Sequence, residues 1–176
     1  MGPMPNLVLT LIGPDRPGLV EAVAQPIAAN GGNWLESRMA HLGGKFAGIL
    51  RIDVPAEKMS VLVQALRGLE DCGLRVVVEE SPPERADETR HLMELDLEGL
   101  DRPGIVREIS HVLVEQSINI EELSTERTKA AMSGEAIFRA RARVNVPEDC
   151  DVARLRQKLE RLAADLMVQV KLAESQ

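Results

Sequence analysis

Tyrosine is absent from the 176 residues, and the whole aromatic complement is Trp34, Phe46 and Phe138. That scarcity argues against the base-stacking platforms of single-strand nucleic-acid binders. Positive charge is also short: 21 Lys and Arg stand against 28 Asp and Glu, a formal charge of −7. Phosphate backbones demand clustered Lys and Arg, so direct nucleic-acid binding is not expected. Two cysteines, Cys72 and Cys150, are too few for a disulfide framework, and neither lies in a C-x-x-C pair. Both are expected as small buried or half-buried side chains. No run approaches the ~20 apolar residues of a membrane span. The N-terminus lacks the charged-then-apolar pattern of a signal peptide. The expected setting is the reducing cytoplasm, with no membrane partner.

Signatures of catalysis are missing as well. His41, His91 and His111 do not stand in metal-ligand spacing. Gly13 to Gly18 fits neither G-x-G-x-x-G nor a phosphate loop with its Lys, and there is no G-x-S-x-G. Glu79-Glu80 and Glu121-Glu122 fall on expected strands, where neighbours point to opposite faces, so neither pair makes a carboxylate dyad. No enzyme activity, metal or cofactor is expected.

What the chain does have is a string that occurs twice: Asp15-Arg16-Pro17-Gly18 and Asp101-Arg102-Pro103-Gly104. Gly13 and Gly99, Val20 and Val106, and Asn33 and Asn119 match at the same offset of 86. A fixed offset marks a duplicated unit. Each copy is expected to be a small domain, over 5–81 and 91–174, joined by a charged, Pro-containing linker over 82–90.

Within the first copy, Leu7 to Ile12 reads as a buried strand that Gly13-Pro14 breaks. A helix should begin at Asp15 or Arg16, with Asp as N-cap and Pro in the first turn. Leu19, Val20, Val23, Ile27 and Ala28 form its apolar stripe. Pro26 should kink it or end it early, and Asn30-Gly31-Gly32 stops it. Trp34 to Leu42 and Phe46 to Val54 read as strands around a Gly43-Gly44 hairpin turn. Lys58 to Asp71 reads as a second helix, and Leu74 to Glu80 as a fourth strand.

The second copy repeats this order, from Leu92–Leu97 and a helix over Pro103–Gln116 to a strand over Leu166–Leu172. Its hairpin is six residues longer, since Pro55 and Pro147 are offset by 92 rather than 86. The added residues are expected near Thr128 to Gly134. Phe138 to Val146 alternates strictly, which sends Phe138, Ala140, Ala142, Val144 and Val146 inward and Arg139, Arg141 and Arg143 outward. The order βαββαβ, twice, predicts an α+β chain of two ferredoxin-like units, each an antiparallel sheet with both helices on one face. The other face must be solvated or covered by another unit.

Two readings of the repeated turn stand. The plain one is a helix start: a cap, a proline and a flexible glycine. The functional one rests on the unpaired N–H groups and positive dipole end of a helix N-terminus, for which a carboxylate is the natural guest. Gly18 and Gly104 would let a ligand approach the backbone, and Asp15 and Asp101 could hold an ammonium. Asn33 and Asn119 each offer a carbonyl and an NH2, suited to both ends of a zwitterion. The candidate ligand residues are therefore Asp15, Arg16, Pro17, Gly18, Leu19 and Asn33, and Asp101, Arg102, Pro103, Gly104, Ile105 and Asn119. Arg139, Arg141 and Arg143 read either as a solvated sheet face or as a surface for an acidic protein partner.

A βαββαβ unit with D-R-P-G at its first turn and G-G-N or S-I-N before its second strand resembles an ACT domain. The resemblance covers nearly the whole chain, in both copies. It implies binding of a small amino acid between two units, using the first turn of one and the start of the second strand of its neighbour. The motif also resembles the N-terminal domain of formyltetrahydrofolate deformylases, but their catalytic domain is not expected here. Two such units in about 176 residues are similar to the glycine cleavage system transcriptional repressor family. That resemblance implies glycine as the signal, a DNA-binding transcriptional activator as protein partner, and no direct contact with DNA. Association into a homo-oligomer is also expected. The alternative is an ACT-type binding module that regulates a metabolic enzyme. In the second copy Gly31-Gly32 is replaced by Ser117-Ile118, whose bulkier backbone is expected to make the two sites unequal or to leave one empty.

Overall fold

The computed structural model describes residues 4–81 and 90–175. The chain divides into two compact units, Met1–Glu84 and Arg85–Gln176. The linker expected over 82–90 lies outside the described residues apart from Arg90, whose backbone already belongs to a strand.

The first unit runs β1 (Asn6–Pro14), α1 (Leu19–Ala29), β2 (Asn33–Leu42), β3 (Lys45–Asp53), α2 (Met59–Arg67) and β4 (Arg75–Glu80). The second runs β5 (Arg90–Leu100), α3 (Ile105–Glu115), β6 (Asn119–Lys129), β7 (Ala136–Pro147), α4 (Val152–Leu166) and β8 (Val168–Glu174). The sheets are ordered β2-β3-β1-β4 and β6-β7-β5-β8, with every pairing antiparallel. Each is the ferredoxin-like arrangement that the pattern predicts. No helix among the described residues is long and apolar enough to cross a membrane.

Each unit closes its own core on the helix-covered face of its sheet. In the first, Leu7, Leu9 and Leu11 alternate inward along β1 and meet Leu19, Val23 and Ile27 of α1 and Leu62 and Leu66 of α2, all nearly inaccessible. In the second, Met93, Leu95 and Leu97 meet Ile105, Ile109 and Leu113 of α3 and Leu155 and Leu159 of α4. The strand period of two and the helix step of four put these residues on facing surfaces.

Four local expectations are corrected. α1 and α3 begin at Leu19 and Ile105, later than expected, because their N-caps are Gly18 and Gly104 in the left-handed region, at φ 89° and 93°. Asp15 and Asp101 therefore cap nothing, and Pro17 and Pro103 lie ahead of the helix. Pro26 does not end α1, which continues to Ala29. Its missing N–H frees only a carbonyl one turn back, and the helix stops soon afterwards. The span expected as one helix over Lys58–Asp71 is α2 flanked by short 3-10 segments, Ala56–Lys58 and Gly68–Cys72. Of the cysteines, Cys150 is half-buried but Cys72 is exposed.

The hairpins behave as read. Gly43 and Gly44 both have positive φ, 58° and 74°, as a two-residue type I′ turn requires. The longer connection of the second unit occupies 130–135, between β6 and β7.

The matched Gly13 and Gly99 share one cause. A Cβ at Gly99 would lie 2.5 Å from Val168 Cγ1 and 2.8 Å from the Met167 carbonyl, and one at Gly13 would lie 2.8 Å from the Gly73 carbonyl. The entry to the last strand of each unit lies against the first strand where only hydrogen fits. Gly99→Ala should therefore lower the unfolding free energy of the second unit by about 1–3 kcal/mol, as overpacking does. Gly68→Ala, with open space and helical φ of −61°, should be neutral or stabilising. Denaturant unfolding of both variants checks the contrast.

Candidate functional site

The two turns are built alike. The Asp15 N–H donates to the Gly44 carbonyl at 3.0 Å and the Asp101 N–H to the Ala136 carbonyl at 2.8 Å, tying each turn to its hairpin. Each carboxylate then meets a basic side chain from the strand before that hairpin. Asp15 Oδ2 lies 3.5 Å from His41 Nε2, and Asp101 Oδ2 lies 2.6 Å from Arg127 Nε. His41 and Arg127 are themselves offset by 86. The first of these contacts is an ion pair only when His41 is protonated.

The arginines turn the other way. Arg16 donates to the Cys72 carbonyl, and Arg102 donates to the Asp165 carbonyl at 2.8 Å. Both carbonyls lie at the end of the second helical stretch of their unit, where unpaired C=O groups favour a cation. The Arg of the motif thus fastens the turn to that end. Only its recurrence in both copies hinted at this, because the contact spans 56 residues in one unit and 63 in the other.

What remains of the turn is open backbone. Asp15 to Gly18 are exposed, and no side chain caps α1 or α3. The Ala22 N–H reaches the Gly18 carbonyl at 2.9 Å and the Glu108 N–H reaches that of Gly104 at 3.0 Å, so helical pairing starts there. The donors ahead of them are the ones available to an anion. Leu19 and Ile105 contribute backbone only, because their side chains are 4% and 3% exposed in the cores.

The asparagines are not beside these turns. Asn33 pairs with Asp53, which pairs with Asn6, whereas the turn follows Pro14, which pairs with Lys45 at the other end of β1. Eight strand steps separate them, roughly 27 Å at ~3.4 Å per residue. Within one unit the turn and the asparagine cannot share a ligand.

The two asparagines also differ. Both strands bulge just after them, at Leu35 in β2 and at Glu121 in β6. Glu121 Oε1 accepts from Asn119 Nδ2 at 3.0 Å and from Asn145 Nδ2 at 3.2 Å. Among the described residues, nothing comparable holds the Asn33 amide. The surroundings of the two asparagines differ through this side chain rather than through the backbone. Ser117 adopts the same left-handed conformation as Gly31, φ 55° against 72°, and Ile118 packs into the core.

Arg139, Arg141 and Arg143 do project from the solvent face of β7, but not as a free cationic stripe. Arg139 Nε lies 2.8 Å from Glu98 and Arg141 Nε 2.9 Å from Asp96, while Arg143 Nη1 lies 3.5 Å from Glu122. The hydrogen bonds to Glu98 and Asp96 raise the pKa values of Arg139 and Arg141 further above the usual range. Strand register, which sequence alone does not supply, puts carboxylates on both sides of the stripe. Burial, with Asp149 and Asp151 nearby, pushes the Cys150 thiol up and away from nucleophilic reactivity. No three His, Cys, Asp or Glu side chains among the described residues converge to hold a metal ion.

Family models described as ACT domain match residues 6–79 and 87–164. The chain belongs to the ACT-domain family. It carries two ACT domains in tandem, and the doubled turn is the start of the first helix in each. Curated relatives from Escherichia coli K12 and Shigella flexneri, each named glycine cleavage system transcriptional repressor, are 23% identical over 165 residues, 93% of this chain and 86% of theirs. The crystal structure of an unknown protein from Galdieria sulphuraria is 29% identical and superposes with a TM-score of 0.84, over 99% of this chain and 100% of that one.

The fastening of the ACT turn can be tested directly. Arg102→Ala should destabilise the second ACT domain by about 1 kcal/mol, the scale of one partly exposed hydrogen bond from a charged group. Arg107→Ala, whose side chain is 88% exposed, should change stability by less than about 0.5 kcal/mol. Thermal unfolding of the two variants separates them.

Proposed function

We propose that this tandem ACT protein is a cytoplasmic amino-acid sensor, with glycine as its ligand. It controls transcription of glycine cleavage genes by contact with a DNA-binding activator rather than with DNA. The observation that carries the reading is the pair of exposed, uncapped glycine turns, whose free backbone N–H groups suit a small carboxylate. The name of the curated relatives supports the regulatory half of the reading. The net charge of −7 and the carboxylates paired with Arg139, Arg141 and Arg143 favour a protein partner over a phosphate backbone. An acidic partner would have to displace Glu98, Asp96 and Glu122, so the arginine stripe is the less suitable contact.

The ligand carboxylate meets the turn N–H groups of one unit. An asparagine amide reaches it from a second copy of the chain, which makes the functional form a homo-oligomer. Glycine then acts through its different affinity for two states of assembly.

Calorimetric titration with glycine, serine and alanine tests the sensor. Glycine should release or absorb heat and raise the melting temperature, and no response to all three would remove the ligand from the proposal. Asn33→Ala should weaken glycine binding about tenfold, the scale of one hydrogen bond to a charged group. Asn119→Ala should do less, since Glu121 already holds that amide. Equal affinities for wild type and both variants would displace the site. Recovery of an activator in a pull-down, with no gel shift by the purified chain alone, is the outcome expected for the partner. Recovery of a metabolic enzyme instead would favour the alternative module.

A further inference from the structure

The uncovered sheet faces of the two units are chemically unlike. On the second, Glu94, Asp96 and Glu98 of β5 flank Arg139, Arg141 and Arg143 of β7, so the face neutralises itself in water. On the first, the same positions carry Val8, Thr10, Ile12, Ala47, Ile49 and Arg51. Ile12, Ile49 and Val77 are 44%, 55% and 50% exposed in adjacent strands. Contiguous exposed apolar side chains rimmed by charge mark an interaction surface.

The rim says what fits. The strand register sets three outward rows: Glu36-Arg51-Val8-Glu79, Arg38-Ile49-Thr10-Val77 and Ala40-Ala47-Ile12-Arg75. On the β2 side the charges are satisfied internally, with Glu36 3.4 Å from Arg38 and 3.5 Å from Arg51. On β4, Arg75 and Glu79 stand on either side of Val77, both exposed, and among the described residues neither has an ion-pair partner. A surface with one unpaired cation and one unpaired anion about an apolar centre is complementary to itself.

We propose that this face of the first ACT domain is the contact between two copies of the chain. The two-fold axis runs across the strands through Ile49, Thr10 and Val77. That axis sets Arg75 against the partner's Glu79 and Glu79 against the partner's Arg75. It also brings Val8 onto the partner's Ile12, Ile49 onto the partner's Ile49 and, at the rim, Arg38 towards the partner's Arg38, each already paired with its own Glu36. A two-fold axis along the strands would instead set Glu36 against the partner's Glu79, a repulsive pairing. The face is roughly 20 by 20 Å by strand and pleat spacing. That is about 800 Å² over both partners, below the standard size and in the weak, transient class, so association is expected only at micromolar or higher concentration.

The inference rests on the homo-oligomer of the proposed function but not on its ligand, and its test needs no amino acid. Sedimentation equilibrium of the full chain, from about 1 to 100 µM, brackets the affinity expected for so small a face. Ile49→Asp should halve the mass of the assembly while circular dichroism stays that of a folded chain. Arg75→Glu and Glu79→Arg should each weaken association about tenfold, because each leaves like charges opposed twice. The double variant R75E/E79R should return to near wild-type affinity. A wild-type chain that stays monomeric throughout, an assembly indifferent to Ile49→Asp, or a double variant as weak as the singles would overturn the proposal. A monomeric wild type would also remove the intermolecular site of the proposed function, whereas an assembly indifferent to Ile49→Asp, or a double variant as weak as the singles, overturns only this contact and leaves the glycine titration standing.

Discussion

The start of the first helix in each unit is a backbone conformation that only glycine adopts without strain, at φ near 90°. Much of the site follows from it. A glycine N-cap brings no side chain to the helix end, so the leading N–H groups stay open. The aspartate of the motif, three residues earlier, is released from capping and reaches a basic side chain on the hairpin strand. The arginine is released too and lies along the end of the second helical stretch. The motif is thus a frame around open backbone donors, with its two charged side chains already committed.

The architecture was legible because it is written in periods. Alternation along Leu7, Leu9 and Leu11 and the four-residue steps from Leu19 to Ile27 identify strand and helix independently. The constant offset between copies identifies the duplication. The site was less legible, because its contacts are long-range. Arg102 with Asp165, Asp101 with Arg127 and Arg141 with Asp96 each depend on register or on a crossover. The separation of Asn33 from the turn is a length along β1 that adjacency in a motif disguises. Helix starts were read too early because Asp followed by Pro is also a common cap pattern, and the left-handed glycine overrode it.

Duplication has left the two copies alike where backbone geometry is tight and unlike where side chains meet water. Turn, hairpin attachment and sheet order coincide. The bulged position after the asparagine has become Leu35 in one copy and Glu121 in the other, and that exchange decides whether the amide is already engaged. The outward rows have diverged further, apolar in one unit and ion-paired in the other. One fold thereby presents two surfaces with different demands on their surroundings.

The close approach at Gly13 and Gly99 limits how either copy can vary. A Cβ there would collide with the Gly73 carbonyl in one unit, and with Val168 and the Met167 carbonyl in the other. The seam between first and last strands is thus closed to ornament: neither glycine can gain a side chain unless the last strand moves aside. Divergence between the copies has to be accommodated elsewhere on the sheet.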